Sequence, residues 1–421
     1  MFAAVRYARA VVESGGTPDV VVLERRAHPC RKLLLSGSGQ CNLTHAGSMD
    51  DFLGRYGGGA KPGAAARFLR PSLLEWTNED LLGWFRARGL EFETEEGGKV
   101  FPVTRRAGSI LEILTAEAEA LGVVIKGGCR VTSLERRGTG FVITAEREPA
   151  DAAPGSEAAD DSVTADAVLI ATGGASYPAT GSTGDGYALA AGLGHPVVEP
   201  RPALSPVIVA GFPLAPLAGL SFRDAGLVIR RGGKKAAART GDVLITHRGL
   251  SGPLALDSSR GIMPGDRLEV RFADVDHEAF RSRFDERLAS APRRLVKTAL
   301  AECGLPRSLA EMLCAVADVG PEVTAAELRR TAREALCELA CACPFDVAAL
   351  GAMDEAMATA GGVDLGSVNP KSMESRIAPG LFFAGEVLDV DGDSGGYNLQ
   401  AAFSTGAMAA KGMAARRDRT V

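Results

Sequence analysis

Two rhythms of apolar and polar positions run through this chain, one with helical spacing and one of short unbroken apolar runs. Residues Phe2 to Glu13 follow the helical rhythm, a Gly-Gly-Thr-Pro turn interrupts it, and Val20 to Leu23 form an apolar run that ends at Glu24. A run without alternation predicts a strand buried on both faces, as in a parallel sheet. From Ser72 to Gly89 the pattern is that of an amphipathic helix, followed by a turn-rich segment through Phe101-Pro102. Ser109 to Leu121 reads as a further helix, with Ser109 as N-cap and Glu112 completing a capping box. The runs CRVTSLE and GFVITAE predict two strands joined by a tight Arg-Arg-Gly-Thr-Gly turn. Pro149 to Ser162, rich in Ala, Pro, Asp and Glu, predicts a solvated, dispensable loop. A buried strand returns at Ala167 to Ala171.

The rhythm changes after Pro196. Short strand-like pieces separated by Pro and Gly run to about Phe272 and predict a small β domain. From Glu278 to about Leu350 leucines and alanines recur at helical spacing. The end of the chain returns to α/β, with a strand at Leu381 to Ala384, a Gly-rich loop and an Ala-rich helix from about Asn398. The expected organisation is a doubly wound α/β cofactor domain made by both chain ends, 1–195 and 366–421. An inserted β domain covers 196–275 and 345–365, and a helical domain covers 276–344.

With 421 residues, 46% hydrophobic and 24% charged, the chain is long enough for two or three domains with sizeable cores. A net charge of −5 argues against nucleic acid as a partner, which favours a basic stripe. No apolar stretch is long enough to predict a membrane span. The opening MFAAVRYARAVVE has the arginines of a transit peptide, but it leads straight into a strand and reads better as a structural helix. Eight cysteines lie scattered without disulfide or zinc spacing; Cys337, Cys341 and Cys343 read as packed thiols, and no metal is expected. Free cysteines predict a reducing compartment, the cytoplasm.

Four segments carry candidate chemistry. Glu24 closes the second strand of a dinucleotide-type fold, where an acid accepts hydrogen bonds from ribose hydroxyls; an ordinary strand-end glutamate is the competing reading. The loop Arg31 to His45 contains Ser36-Gly37-Ser38-Gly39, whose backbone can approach a phosphate or a ring, with Arg31 or Lys32 as the nearby charge. A plain surface turn is the competing reading there. Thr172-Gly173-Gly174 follows a buried strand, and Gly181, Gly184 and Gly186 lead into a helix near Asp185; a simple strand-to-helix connection seldom needs so many glycines. Finally, a strand ends at Gly385-Glu386, and Gly395-Gly396-Tyr397-Asn398 opens a helix whose N-terminus suits an anionic group. Asp389, Asp391 and Asp393 have the look of a calcium loop but lack its closing glutamate.

The segments SGSGQCNLT, ATGGASYPATGSTGDGY, LITHRGLSGP and MESRIAPGLFFAGEVLDVDGDSGGYNLQ, in this order and spacing, resemble a family of bacterial FAD-dependent oxidoreductases. That family includes aminoacetone oxidase and the BaiN-like flavoproteins, and the resemblance extends from about Val20 to Ala409. It implies an FAD domain interrupted by a β-barrel and a small helical domain. By position, Glu24 would hold the adenosine ribose and Val131 would meet adenine through its backbone. Lys32, Ser36, Gly37, Gly39, Cys41 and Asn42 would line the cofactor from one loop and Thr172, Gly173 and Gly174 from another. Gly385 and Glu386 would meet the ribityl chain or pyrophosphate, while Gly396, Asn398, Leu399 and Gln400 would sit at the isoalloxazine edge. The adenosine contacts favour FAD over FMN.

One departure stands out: the family opens with a strand and G-x-G-x-x-G, and this chain has neither. Counting back from Glu24 predicts that the chain is truncated, with Met1 an internal residue of the helix. The expected activity is hydride transfer between a small organic substrate and the flavin, with NAD(P)H as a transient reductant or oxygen as the other partner. Tyr177, His45 and His247 are the candidate proton carriers. The competing readings are a non-enzymatic remnant with weak flavin binding and a flavoprotein acting on RNA.

Overall fold

The computed structural model describes residues 1–147 and 161–420. It divides into two compact units, Met1–Pro202 with Ala356–Val421, and Ala203–Glu355.

The first unit has the parallel pairings expected of a doubly wound domain. Strand Val21–Leu23 pairs in parallel with Val124–Lys126, and Val168–Ile170 pairs in parallel with Leu381–Phe383. These are two separate ladders among the described residues. The strand at Val21–Leu23 departs from the expected burial on both faces. Among the described residues it has one strand neighbour, and Val21 is 38% exposed. Residues Cys129–Arg137, Gly140–Arg147 and Asp161–Ala165 form an antiparallel meander. The loop expected over Pro149 to Ser162 thus falls mostly outside the described residues, and its last two positions belong to this third strand. The alternation in Asp161-Ser-Val-Thr-Ala165 is what fixes that strand, since it pairs residue by residue with Phe141 to Ala145.

Helix Phe2–Glu13 forms as its spacing predicts and lies against the long helix Tyr397–Thr420. Phe2 meets Trp84 and Phe403 edge-on at ring distances of 5.2 and 5.0 Å. The single helix expected from Ser72 to Gly89 is two, Ala64–Glu75 and Asn78–Arg86. Thr77 breaks it by capping the second: its side chain accepts from the Asp80 N–H while the Asp80 carboxylate accepts from the Thr77 N–H. Ser109 is not a cap. The helix starts at Ala107, Arg106 is its N-cap, and the Ser109 hydroxyl lies 2.9 Å from that of Thr104.

The second unit is built on a closed antiparallel barrel. Its strands run in the order Val207–Val209, Gly249–Ser251, Lys234–Ile245, Ser221–Arg231, Arg267–Arg271, Cys343–Leu350. Four helices, His277–Ser290, Val296–Ala301, Arg307–Val316 and Arg330–Ala342, share one apolar core with it. Helical spacing therefore stops at Ala342 rather than near Leu350, because the alternation from Cys343 to Val347 places every second residue in the barrel interior. Cys337 and Cys343 are buried in this core, where desolvation raises their thiols to about 11 and about 12.

Candidate functional site

The loops at the carboxyl ends of the parallel strands converge in the first unit. Glu24 follows Val21–Leu23 and is tied at both ends of its peptide, its N–H donating to Lys126 O and its C=O accepting from Cys129 N–H, each at 2.9 Å. Its Oε1 accepts from the Arg26 N–H at 2.8 Å. Burial raises the Glu24 pKa against the pull of that N–H and of the Arg26 charge. Arg26 donates from Nη2 to Ala179 O at 2.9 Å, while its buried Nε has no hydrogen-bond partner among the described residues. Gly181, with φ of 104°, lies so near that a Cβ there would stand 3.2 Å from Arg26 Cγ and 3.8 Å from Glu24 Oε1. The Ala179–Gly181 part of the Thr172–Gly186 motif is therefore folded against the Glu24 strand end. Val131 is half-buried in the meander opposite Ala145.

A second cluster gathers around Glu386. The Lys32 ammonium lies 2.7 Å from Glu386 Oε2 and 3.0 Å from Oε1, and donates to Ser176 Oγ at 2.6 Å. Glu386 Oε1 also accepts from the Thr359 N–H at 2.8 Å and from the Ser176 hydroxyl at 3.2 Å. Thr359 Oγ1 in turn accepts from the N–H groups of Ala175 and Ser176 at 2.9 and 3.1 Å. Gly174 has no room for a side chain: a Cβ there would meet Thr359 Oγ1 at 2.3 Å. Three sequence motifs thus meet at one partly buried carboxylate–ammonium pair. Tyr187 is buried beside it, and desolvation together with the Glu386 and Asp389 charges raises its phenol.

The loop from Ser36 to Asn42 turns through left-handed conformations at Gly37, Ser38, Gly39 and Cys41. Gly37 is required by close approach, since a Cβ would stand 2.8 Å from the Asn42 nitrogen. Cys41 is fully buried, and desolvation raises its thiol to about 11, so it is a packed thiol rather than a reactive one. The Asn42 amide, oriented to satisfy its surroundings, donates to Thr44 O at 3.0 Å.

This loop runs directly into the C-terminal motif. Gly396, at φ 96°, passes so close to Thr44 that a Cβ would lie 2.5 Å from its carbonyl oxygen. His45 stacks on Tyr397 with centroids 5.0 Å apart. The Gln400 amide accepts from the Thr44 hydroxyl at 2.7 Å and donates to Trp76 O and Ser404 Oγ. Asn398 clasps Gly392 through both its amide atoms, at 2.7 and 3.0 Å. The side chains of Asn398 and Gln400 thus brace the loop. The Leu399 side chain packs into the neighbouring core. Gly385 donates its N–H to Thr405 Oγ1 at 3.0 Å. Asp389 accepts from the Gly59 N–H at 2.8 Å and is raised by burial.

Of the three proton-carrier candidates, His45 and Tyr177 lie in the first unit and His247 in the second, exposed on the turn between two barrel strands. Tyr177 sits at φ 53° at the head of the turn Pro178–Thr180. His45 Nδ1 is 2.6 Å from Ala46 O. A carbonyl only accepts, so in the neutral ring Nδ1 carries the proton and Nε2 keeps its lone pair. Arg26, Ser176 and Thr359 were not singled out from the sequence. Ser176 and Arg26 stand inside or beside motifs already marked, whereas Thr359 lies in an all-buried strand 183 positions from its Ser176 partner.

Residues 1–412 match the HI0933-like protein Rossmann domain. The chain is 32% identical to 3-dehydro-bile acid delta(4,6)-reductase of Clostridium scindens over 97% of this chain and 95% of that protein. It is 29% identical to the ribosomal RNA dihydrouridine synthase of Escherichia coli over 92% of this chain and 90% of that one. Among solved structures, a 3-ketosteroid-delta4-(5alpha)-dehydrogenase from Rhodococcus jostii RHA1 superposes with a TM-score of 0.48 at 18% identity, covering 98% of this chain and 94% of that chain. No helix among the described residues is long and apolar enough to cross a membrane. By its sequence, the chain belongs to the HI0933-like Rossmann family of FAD-binding flavoprotein oxidoreductases.

Proposed function

We propose that this chain reduces a carbon–carbon double bond polarised by a neighbouring carbonyl in a small organic substrate, with NAD(P)H as the transient source of electrons. The observation that carries the reading is the Lys32–Glu386–Ser176–Thr359 cluster, which draws three loops together at the carboxyl ends of the parallel strands, where open α/β sheets bind their ligands. The names of the reductase and synthase relatives both describe the addition of hydrogen to an unsaturated ring.

The residues present fit FAD. The orphaned, buried Arg26 Nε beside the desolvated Glu24 carboxylate offers a donor and an acceptor to the ribose diol of an adenosine half. Glu386 and Lys32 offer the same pair of chemistries to the ribityl hydroxyls and pyrophosphate. FAD held there would supply the redox chemistry, and these residues position and charge. His45 holds a lone pair at Nε2 on a ring fixed by its stack on Tyr397, which suits it to manage the proton that accompanies hydride addition. The eight free cysteines support a reducing, cytoplasmic setting.

A second reading, reduction of a uracil ring in RNA, is favoured by the two ribosomal RNA dihydrouridine synthases among the relatives, 29% and 28% identical. The net charge of the whole chain therefore does not exclude RNA as substrate. The deciding experiment is anaerobic: the flavin-loaded protein is reduced with NADH or NADPH, then mixed separately with a conjugated steroid enone and with unmodified ribosomal RNA. Reoxidation by the enone supports the proposal. Reoxidation by RNA alone supports the second reading, and reoxidation by neither, with oxygen effective, sinks both in favour of an oxidase.

A further inference from the structure

We propose that His195 and Ser375 form an acid-released latch on the parallel ladder between Val168–Ile170 and Leu381–Phe383. These are the two strands whose carboxyl ends carry Thr172–Gly174 and Gly385–Glu386.

His195 follows the helix Asp185–Gly192 and is 3% exposed. Its backbone N–H and its Nδ1 both reach Ala190 O, each at 3.1 Å, and its Nε2 lies 2.7 Å from Ser375 Oγ. The ring meets Phe383 edge-on with centroids 5.0 Å apart. Ser375 Oγ accepts in turn from the N–H groups of Ile377 and Ala378, at 2.9 and 2.7 Å. The Ser375 N–H closes the loop 375–381 on Leu381 O at 2.7 Å, and Gly380 O, near the end of that loop, accepts from the Val168 N–H at 3.0 Å. The latch sits where this loop delivers the chain into the ladder.

The count of donors and acceptors fixes its charge state. The Ala190 carbonyl only accepts, so Nδ1 carries the proton, and the neutral Nε2 takes the one hydrogen of the Ser375 hydroxyl. Both lone pairs of that hydroxyl are taken by Ile377 and Ala378, so every group has a partner. An imidazolium adds an N–H at Nε2 for which no acceptor is left, and the Ser375 hydrogen loses its own. Protonation thus leaves a buried N–H and a buried O–H without partners, and opening of the loop to water satisfies both.

No charged side chain bonds to the ring among the described residues to offset that conflict. Asp185 and Tyr187 lie on the preceding helix, where Asp185 is held by Arg25 and Arg130. Glu199 and Arg201 lie on the following strand Val197–Ala203, and Asp364 reaches Pro196 O through its N–H. On the loop side Glu374 pairs with Arg416, and Arg376 donates to Val368 O. Burial lowers the His195 pKa against the pull of the Ala190 carbonyl. The closed form is therefore favoured above the ordinary histidine value of about 6.5, and it loses that advantage as pH falls through the lowered one.

The test is hydrogen–deuterium exchange of the full-length protein without added flavin at about pH 7.5 and about pH 5, corrected for intrinsic exchange rates. Protection of 374–384 is expected to fall by about tenfold in acid relative to the barrel strands Ser221–Arg231 and Lys234–Ile245. His195→Gln, which keeps a donor and an acceptor but does not titrate, should remove that fall. Protection unchanged in acid, or a fall that persists in His195→Gln, would overturn the latch. Should the variant not fold, ring NMR of the wild type decides: one of the five histidines must ionise below the ordinary value and in step with the opening, and none doing so would overturn it equally. The exchange readout stands apart from the cofactor, whereas an effect on FAD rests on the assignment of Glu386 made above. There, slower acid release of FAD from His195→Gln than from the wild type is expected, and equal release beside an intact exchange effect would sever the latch from the cofactor loop.

Discussion

The place of Glu24 directly after a strand was legible in the sequence from the apolar run that ends there, but its titration follows from the surroundings. Burial favours the neutral carboxyl, whereas ribose hydroxyls donating to it, as proposed, would favour the ionised one. FAD affinity should therefore rise with pH through the raised Glu24 pKa, and Glu24→Gln should flatten that rise in a fluorescence titration. In the cofactor-free chain the sign is opposite. The stabilising share of Glu24 is present below its ordinary value and is lost as pH rises through the raised one. At the second cluster, Glu386→Gln removes one charge of the Lys32 pair, and a hydrogen bond to a charged group is worth about 1.5–3 kcal/mol. Weaker FAD retention by about tenfold or more is expected, with melting little changed. His45→Asn should slow substrate reduction by roughly a hundredfold while leaving flavin reduction by NAD(P)H intact, which stopped-flow separates. Thr359 was not legible, since its role depends on a contact across 183 positions and on burial that no local pattern announces.

At the level of elements, the sequence shows period and termini well and breaks poorly. The helices Phe2–Glu13 and Asp185–Gly192 start and stop where turn residues flank them. The Thr77 break was hidden because Ala64–Glu75 and Asn78–Arg86 both continue a helical pattern, and because Pro71 is tolerated within the first. Thr77→Ala should lower stability by about 1 kcal/mol in denaturant unfolding, the usual worth of an N-cap. The long C-terminal helix depends on a polar bond as well as on its apolar face. Gln400→Leu would strand the buried Thr44 hydroxyl, while Ser404 Oγ and Trp76 O keep their bond to each other, at about 1–3 kcal/mol for the group left unsatisfied. A loss of stability and faster amide exchange at the helix start are the expected outcome.

At the scale of the whole molecule, the insertion of a β-plus-helix segment into a cofactor domain was legible as a change of rhythm after Pro196 and a return to α/β near the end. The exact strand content was less so: Cys343–Leu350 follows helix Arg330–Ala342 without a turn signal, and only its pairing in the barrel distinguishes it. The apolar core of Ala203–Glu355 is made from residues of that unit alone. Phe280→Ala, which empties a fully buried ring position there, should cost about 3–5 kcal/mol. Hydrogen exchange should then accelerate in 203–355 with protection in the other unit largely retained. For the molecule as a flavoprotein, the most direct measurement is a titration of the purified full chain with FAD and, separately, with FMN, followed by flavin fluorescence. The Glu24–Arg26 and Lys32–Glu386 clusters predict saturable binding of FAD, with FMN weaker by at least about tenfold because it lacks the adenosine half. Equal binding of the two, or binding of neither, would contradict the assignment of these clusters to the cofactor.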